Sequence, residues 1–337
     1  MKIGIANDAP MAAEALRRVL AGAPEHQVLW IARTGLDAVR LCAENRPDLV
    51  LMDLNMPGLD GVEATRQIMQ RSPCAILVVT GQPQDNVSQV FRALGAGALD
   101  VTATPILRGA DGGEAALLAK IRTIGKLVRL SGGGEPLPAA QPEPLDTGVR
   151  HLLAIGASTG GPVAIAKILG GWVPAPGSAI VVVQHIDANF AQHFARWLGD
   201  QLPIPVRVID EGDALEAGVV QVAKTNDHLI LSPRKRLHYD AEPRDYAFRP
   251  SVDVFFECVA RHWQGEATGV LLTGMGRDGA QGLLAMRRAG KLTLAQDQAS
   301  SAVYGMPRAA AELDAAQQIL PLENISKVLR SRIGNKG

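Results

Sequence analysis

The chain contains the stretch Leu152-Leu153-Ala154-Ile155-Gly156-Ala157-Ser158-Thr159-Gly160-Gly161-Pro162. An apolar run followed by small residues and a proline predicts a buried strand, a tight turn and the start of a helix. Ser158 lies at the centre of the turn, inside a Gly-x-Ser-x-Gly arrangement. Such a turn exposes the serine hydroxyl at the carboxyl end of the strand, near the N–H groups that begin the helix. The stretch therefore predicts an α/β fold and a place for a nucleophile.

A glycine-rich turn between strand and helix also suits the pyrophosphate of a dinucleotide. That alternative predicts an acidic residue at the end of the next strand, where it would bind a ribose hydroxyl. The next predicted strand, 179–183, is followed by Gln184-His185-Ile186-Asp187, so a histidine occupies the strand end. The nucleotide alternative is weakened but stays open at this point.

Composition limits the possible functions. The chain has 337 residues, of which 47% are hydrophobic and 20% charged, which is enough for two domains with their own cores. Its 34 basic and 34 acidic residues give zero net charge, so electrostatics favours neither nucleic acid nor an anionic membrane as a partner. No apolar run approaches the roughly 20 residues of a membrane span, and no signal sequence is evident, so we expect no membrane insertion and a cytoplasmic location.

Residues 1–128 alternate short apolar runs with helical patterns. Five β/α units of this kind predict a parallel sheet covered by helices on both faces. The predicted strands are Lys2–Ala6, Val28–Ala32, Leu49–Asp53, Ala75–Thr80 and Ala98–Thr102.

Polar residues follow three of these strands. Asp8 comes after the first, Asp53 ends the third and Thr80 ends the fourth. The carboxyl ends of parallel strands meet at one edge of the sheet, so we expect these residues to lie close together. Two carboxylates and a main-chain carbonyl, that of Asn55, suit Mg²⁺, and the Thr80 hydroxyl would contact a phosphoryl group on Asp53. The alternative is that both acids are ordinary strand-end residues, for which turns have a preference.

The N-terminal segment resembles two-component receiver domains, which have a flavodoxin-like (βα)5 fold. The runs that match are Asp48 to Gly61, Val78-Val79-Thr80-Gly81 and Leu94 to Asp100. The resemblance implies that Asp53 accepts phosphate from a histidine kinase. Two positions depart from the family pattern: Asn7 stands where receivers usually have an acid, and Thr104 stands where they have a lysine that pairs with the phosphoryl group. We therefore expect weaker Mg²⁺ binding and altered coupling of phosphorylation to activation.

A flexible linker is predicted at 129–148, where glycines and spaced prolines dominate. The β/α alternation then resumes in a second domain, 149–337, predicted to be doubly wound and mostly parallel. Short β-like runs between Val206 and Leu231 are interpreted as hairpins. Leu292–Gln296 is predicted to be the last strand.

Three chemically competent residues follow strands of this second sheet, namely Ser158, His185 and Asp278. A serine becomes a nucleophile when a base lies within hydrogen-bond reach and a carboxylate orients that base. The alternatives are a small turn residue, a histidine satisfied in the core and a helix N-cap, respectively. All three alternatives would have to hold at one sheet edge, so a catalytic triad is favoured.

The loop Gly274-Met275-Gly276 supplies a further requirement. Flanking glycines permit turns that present main-chain N–H groups to a developing oxyanion. The alternative is a simple glycine turn. The order serine, histidine, aspartate differs from the order in α/β-hydrolases, so the arrangement would be a distinct one.

The second domain resembles the chemotaxis-type protein-glutamate methylesterases/glutamine deamidases of the CheB family. The matching runs are Gly156 to Pro162, Gln184-His185, Arg249-Pro250-Ser251-Val252-Asp253, Leu272 to Gly279, Ala295-Gln296-Asp297 and Tyr304-Gly305-Met306-Pro307.

This resemblance implies hydrolysis of γ-methyl glutamate esters on chemoreceptor helices, often with deamidation of receptor glutamines. It implies Ser158 as nucleophile, His185 as base and Asp278 as its orienter. The Met275 amide would be an oxyanion donor, with Thr159 in support. It also implies a kinase of the CheA type as partner and no cofactor in the catalytic domain. The two receiver departures resemble the branch that serves surface-sensing (Wsp-type) pathways.

Two other functions stay open from the sequence. A serine hydrolase of a small soluble ester would use the same three residues. A non-catalytic response regulator would use the second domain only to bind a partner.

Overall fold

The computed structural model describes residues 1–81, 87–105, 113–129, 148–244, 246 and 248–335. The chain divides into two compact units, Met1–Leu130 and Ser131–Gly337. All but the two end residues of the predicted linker, 129–148, lie outside the described residues, so its extent stays a prediction. Among the described residues, no helix combines the length and the apolar character needed to cross a bilayer.

The N-terminal unit alternates strands and helices in chain order. Its elements are β1 (Lys2–Ala6), α1 (Pro10–Ala21), β2 (Gln27–Ala32), α2 (Gly35–Glu44), β3 (Leu49–Met52), α3 (Gly61–Arg71), β4 (Ala75–Thr80), α4 (Val87–Ala96), β5 (Asp100–Ala103) and α5 (Gly113–Arg129).

The strands form one parallel sheet in the order β2-β1-β3-β4-β5. Every residue of β3 is buried, as expected for a parallel strand that is covered on both faces. The direction of winding reverses between β1 and β3, and ligands of open α/β sheets bind at such a reversal. Asn7 and Asp53 follow these two strands directly.

The C-terminal unit contains the remaining elements. They are β6 (His151–Ala157), α6 (Gly161–Leu169), β7 (Ser178–Gln184), α7 (Ala188–Gln201), β8 (Val206–Val208), β9 (Val220–Val222), β10 (His228–Leu231), β11 (Leu237–Asp240), α8 (Val252–His262), β12 (Glu266–Leu271), α9 (Ala280–Arg288), β13 (Leu292–Gln296), α10 (Met306–Glu312), β14 (Gln318–Leu320) and α11 (Leu322–Ile333).

Seven strands form the main sheet in the order β14-β13-β12-β6-β7-β9-β8, and each neighbouring pair is parallel. Leu152 and Ala154 of β6 belong to a core that includes Phe255 of α8 and Leu283 of α9. Alternate residues of β6 point to the opposite face. The winding reverses between β6 and β12, so this is the sheet position where a ligand crevice is expected.

Two details of the predicted second domain were wrong. The runs near Val206 and Val220 are not a hairpin, because β8 and β9 pair in parallel at the edge of the main sheet. The antiparallel hairpin joins β10 and β11 instead. Leu292–Gln296 is not the last strand either, since the three-residue β14 follows it and pairs with β13.

Candidate active site

The serine and the histidine lie side by side because β6 and β7 are neighbours. Ala157 pairs with Gln184, and the His185 N–H donates to the Ala157 carbonyl at 3.0 Å. Ser158 and His185 are the next residues along these two strands. Adjacent strands lie about 4.8 Å apart, so the register brings the two side chains to the same point of the sheet edge.

The turn after β6 is closed by the protein's own side chains. Gly160 has a φ of +79°, and a Cβ there would come within 2.6 Å of the Ala302 Cβ. A Cβ on Gly161 would come within 2.1 Å of the Gln184 Oε1. In a dinucleotide site the bare faces of such glycines admit the pyrophosphate. Here protein atoms occupy them, which disfavours the nucleotide alternative.

His185 is held by a carboxylate on one ring nitrogen only. Its Nε2 lies 2.7 Å from the Asp278 Oδ2, and the two side chains are 5% and 8% exposed. Its Nδ1 is buried and has no hydrogen-bond partner among the described residues. The carboxylate fixes the proton on Nε2, so Nδ1 carries the lone pair that can accept a proton. The usual triad has the opposite arrangement, with the carboxylate on Nδ1.

Phe248 lies against the imidazole of His185. The two ring centroids are 3.9 Å apart, and the ring planes are inclined by 13°. This stacking restricts the tilt of the imidazole.

Asp278 accepts four hydrogen bonds. Its Oδ1 accepts from the Ser251 hydroxyl at 2.7 Å and the Asp253 N–H at 3.1 Å, and its Oδ2 accepts from the Val252 N–H and from His185, both at 2.7 Å. Burial alone would raise the pKa of Asp278, but the bonds from His185, Ser251 and the Val252 N–H outweigh it and hold the pKa below its usual value.

The capping alternative for Asp278 was wrong for its own helix. The N-cap of α9 is Gly279, so Asp278 does not cap the helix that follows it. Asp278 instead lies at the N-terminus of α8, where its charge meets the positive end of that helix dipole. This placement supports an ionised orienting carboxylate.

Ser158 is 5% exposed, and its hydroxyl makes no hydrogen bond within the described part of the chain. It is therefore not bonded to His185 in this structure. Catalytic hydrogen bonds are often long before substrate binds. Among the described residues, the serine hydroxyl is thus unpaired at a strand end that neighbours the one carrying His185.

The loop after β12 lies against the serine. A Cβ on Gly274 would lie 2.8 Å from the Ser158 Cβ, so the two residues are in close contact. The Gly274 carbonyl accepts from the N–H groups of Gly305 and Met306 at 3.0 and 2.9 Å. In a trans peptide the N–H points opposite to the carbonyl, so the Met275 N–H points away from α10. In the described residues it has no acceptor, which leaves it available to an oxyanion.

Thr159 follows the serine and is 1% exposed. Its carbonyl accepts from the Thr273 hydroxyl at 2.9 Å, while its own Oγ1 is buried without a partner among the described residues. The Thr273 bond ties the serine turn to the end of β12. Thr159 thus has a supporting contact, as well as an unused hydroxyl.

In the N-terminal unit, Asp53 lies at the reversal point of the sheet. Its Oδ1 accepts from the Leu54 N–H at 2.7 Å, and its Oδ2 accepts from the Asn7 amide at 3.2 Å. Burial raises the pKa of Asp53 and the negative charge of Asp8 adds to the rise, although the N–H groups of Leu54 and Asn55 oppose it. The Asn7 amide thus donates a hydrogen bond to a carboxylate oxygen of Asp53, whereas an acidic residue at position 7 would repel that carboxylate.

The other predicted receiver residues lie around this edge. Asp8 and Asn55 are exposed, and Thr80 is buried at the end of β4. The Thr104 N–H donates to the Thr80 carbonyl at 3.0 Å, so the threonine that replaces the family's lysine lies beside the predicted switch residue. Within the described ranges, no three His, Cys, Asp or Glu side chains group as metal ligands. A Mg²⁺ site here would therefore depend on two carboxylates and a main-chain oxygen.

Ser251 and Phe248 were missed as site residues. Ser251 lies in the run Arg249 to Asp253, which matches the family pattern, but the sequence alone did not indicate a chemical role for it. Its partner Asp278 lies 27 residues further along the chain, and no local pattern indicates that contact.

Fold and site together define a response regulator whose output domain has the residues of a serine hydrolase. A family model described as response regulator receiver domain matches residues 3–108, and one described as CheB methylesterase matches 153–329. The chain belongs to the CheB methylesterase family. The predicted receiver and methylesterase folds are confirmed, while assignment to the surface-sensing branch stays a prediction.

Similar proteins cover nearly the whole chain. A protein-glutamate methylesterase/protein-glutamine glutaminase 1 of Pseudomonas fluorescens is 56% identical over 330 residues, 97% of each chain. A protein-glutamate methylesterase/protein-glutamine glutaminase 2 of Cupriavidus metallidurans is 55% identical, over 97% of this chain and 96% of its own. The CheB methylesterase catalytic domain of Thermotoga maritima has a solved structure that is 27% identical, with a TM-score of 0.50, covering 54% of this chain and 98% of its own.

Proposed function

We propose that this chain is a phosphorylation-regulated hydrolase that removes methyl groups from glutamate γ-methyl esters of chemoreceptors and deamidates receptor glutamines. The observation that carries the proposal is the state of His185, whose Nε2 is bonded to Asp278 while its Nδ1 is buried without a partner among the described residues, at the strand end next to that of Ser158. The names of the relatives support the substrate class.

In the proposed mechanism the Ser158 hydroxyl attacks the ester carbonyl carbon while Nδ1 of His185 takes its proton. The imidazolium that forms is stabilised by Asp278, which stays ionised because its hydrogen bonds hold its pKa low. The carbonyl oxygen becomes an oxyanion and accepts from the Met275 N–H, with Thr159 in support.

Collapse of the tetrahedral intermediate breaks the bond to the methoxy group. His185 returns its proton to the departing oxygen, so methanol leaves and the glutamyl group stays on Ser158. Water then attacks this acyl-enzyme, with His185 again as base, and releases glutamate and the free serine. A glutamine substrate follows the same steps with ammonia as the leaving group.

Regulation is proposed to begin at Asp53, phosphorylated by a histidine kinase of the CheA type. The phosphoryl group adds about −1.5 to −2 charge, which the Thr80 hydroxyl would contact. Mg²⁺ would be held by Asp8, Asp53 and the main-chain carbonyl of Asn55, where it would neutralise phosphoryl charge. Thr104 offers no cation to the phosphoryl group, so coupling to the second unit is expected to differ from that of lysine-containing receivers.

The test incubates the full chain with receptor membranes that carry radiolabelled methyl esters and measures released methanol. The proposal expects release by the wild type and none by Ser158→Ala. No release by either protein, with receptor binding intact, would support a non-catalytic regulator. Hydrolysis of a small ester without release from receptor would support a small-ester hydrolase. Either result would contradict the proposed function.

A further inference from the structure

Ser251 connects the catalytic carboxylate to a buried anchor. The residue is fully buried and precedes α8. Its hydroxyl donates to the Asp278 Oδ1 at 2.7 Å, and its backbone N–H donates to the His228 Nδ1 at 3.1 Å. The same hydroxyl oxygen accepts from the Val254 N–H at 3.4 Å, which caps the helix.

The two carboxylate oxygens of Asp278 accept hydrogen bonds from different groups. Oδ1 receives only supporting donors, namely the Ser251 hydroxyl and the Asp253 N–H. Oδ2 is the oxygen that meets His185. Rotation of the carboxyl group would break bonds at both oxygens at once. The Ser251 bond therefore fixes the plane in which the carboxylate meets the imidazole.

His228 prevents Ser251 itself from shifting. It is fully buried on β10, and its Nε2 lies 2.9 Å from the Pro243 carbonyl. Because Nδ1 accepts from Ser251, the proton lies on Nε2 and is donated to Pro243. The imidazole thus links the backbone of Ser251, inside the run Arg249 to Asp253, to the backbone at Pro243.

We propose that Ser251 is a positioning residue for ester hydrolysis, which acts by holding Asp278 in the orientation that His185 requires. It does not touch the reacting atoms. The inference rests on the proposed function, and it gives the run Arg249 to Asp253 a role.

Loss of the hydroxyl has two expected effects. Ser251→Ala loosens the carboxylate and removes a charge-assisted hydrogen bond, for which we expect kcat/KM to fall about 10- to 100-fold with little change in KM. Because the Ser251 hydroxyl no longer donates to Asp278, the carboxylate also stabilises the imidazolium of His185 more strongly. The acidic limb of the rate profile should therefore move to higher pH. Two further titratable groups that interact electrostatically with Asp278 are Asp253 and Glu257, and the variant leaves both in place.

The experiment compares full-length wild type, Ser251→Ala and Ser251→Thr between pH 5 and 9. It measures methanol release from methylated receptor membranes, hydrolysis of p-nitrophenyl acetate and the proton NMR signal of the His185 Nε2–H, with Tm as the check on folding. The expected result is a slower Ser251→Ala with a displaced limb and a displaced NMR signal. Ser251→Thr, which keeps both hydroxyl and cap, should restore all three.

The proposal is overturned if Ser251→Ala keeps the wild-type rate. It is equally overturned if the rate falls while the pH profile and the NMR signal stay unchanged, since a purely structural role would do that, or if Ser251→Thr behaves like Ser251→Ala. Absence of methanol release from the wild type would instead contradict the proposed function. In that case p-nitrophenyl acetate and the NMR signal still test Ser251.

Discussion

The substitution Asp278→Asn tests the hydrogen bonding around His185 most sharply. An asparagine keeps one oxygen of the carboxylate and replaces the other with an NH2 group, which donates and does not accept. With the NH2 at the Oδ2 position, the Val252 N–H loses its acceptor and His185 must move its proton to Nδ1. With the NH2 at the Oδ1 position, the Asp253 N–H loses its acceptor, although the Ser251 hydroxyl can turn to accept.

Both orientations remove the negative charge that stabilises the imidazolium, and the first also protonates the nitrogen that should take the serine proton. The corresponding exchange in the general serine-protease template costs about ten-thousandfold in kcat, so we expect a loss of about a thousandfold or more here. One buried N–H without an acceptor also lowers the free energy of unfolding by about 1–3 kcal/mol.

The assay is methanol release from methylated receptor membranes, with denaturant unfolding measured in parallel. Asp213→Asn is the matched control, because Asp213 also accepts a backbone N–H, from Asp210 at 2.8 Å, and an arginine, Arg207, but lies in the loop between β8 and β9. The control should retain near wild-type activity. If Asp278→Asn keeps more than about a tenth of the wild-type kcat, the assignment of Asp278 as the orienting carboxylate is refuted.

Three further outcomes are expected. Burial and the charge of Asp278 raise the pKa of Asp253 well above its usual value, so the folded chain holds a proton that the unfolded chain releases above about pH 4. The free energy of unfolding of the wild type should therefore fall as the pH rises from about 4 through the pKa that Asp253 has in the folded chain. Asp253→Asn cannot lose this proton, so urea unfolding should show its stability increasing relative to the wild type over the same pH range. Stabilities of the two proteins that change in parallel with pH would contradict this. Asn7→Asp adds a carboxylate beside Asp53 and should tighten Mg²⁺ binding in calorimetry, and an unchanged affinity would count against the proposed site. Acetyl phosphate should stimulate methanol release by the wild type but not by Asp53→Asn, and equal stimulation would exclude Asp53 as the phosphorylation site.

Much of the fold could be predicted because the strands of a buried parallel sheet are short, continuous apolar runs. Lys2–Ala6, Ala75–Thr80 and Leu292–Gln296 have the predicted bounds. The side-by-side placement of Ser158 and His185 followed from the same logic, since both residues come directly after such runs. β14 was not predicted, because it has only three residues, two of them exposed, and so shows no alternation of apolar and polar residues.

The finer arrangement of the site depends on contacts between distant parts of the chain. The support of Asp278 comes from the N-terminus of α8, which precedes it in sequence, and no spacing rule links the two. Which imidazole nitrogen faces the carboxylate is also decided only in the folded structure. The run Arg249 to Asp253 was visible as a motif, but its chemistry emerged only when Ser251 was found beside the carboxylate.

In the proposed mechanism, the sheet edge turns Ser158 into a nucleophile through His185. Covalent labelling of the full chain by a fluorophosphonate, with the modified peptide identified by mass spectrometry, measures this activation. We expect the wild type to be labelled at Ser158 and His185→Ala to be labelled far more slowly. Equal labelling of both proteins, or labelling of the wild type at other residues only, would contradict activation of Ser158 by His185.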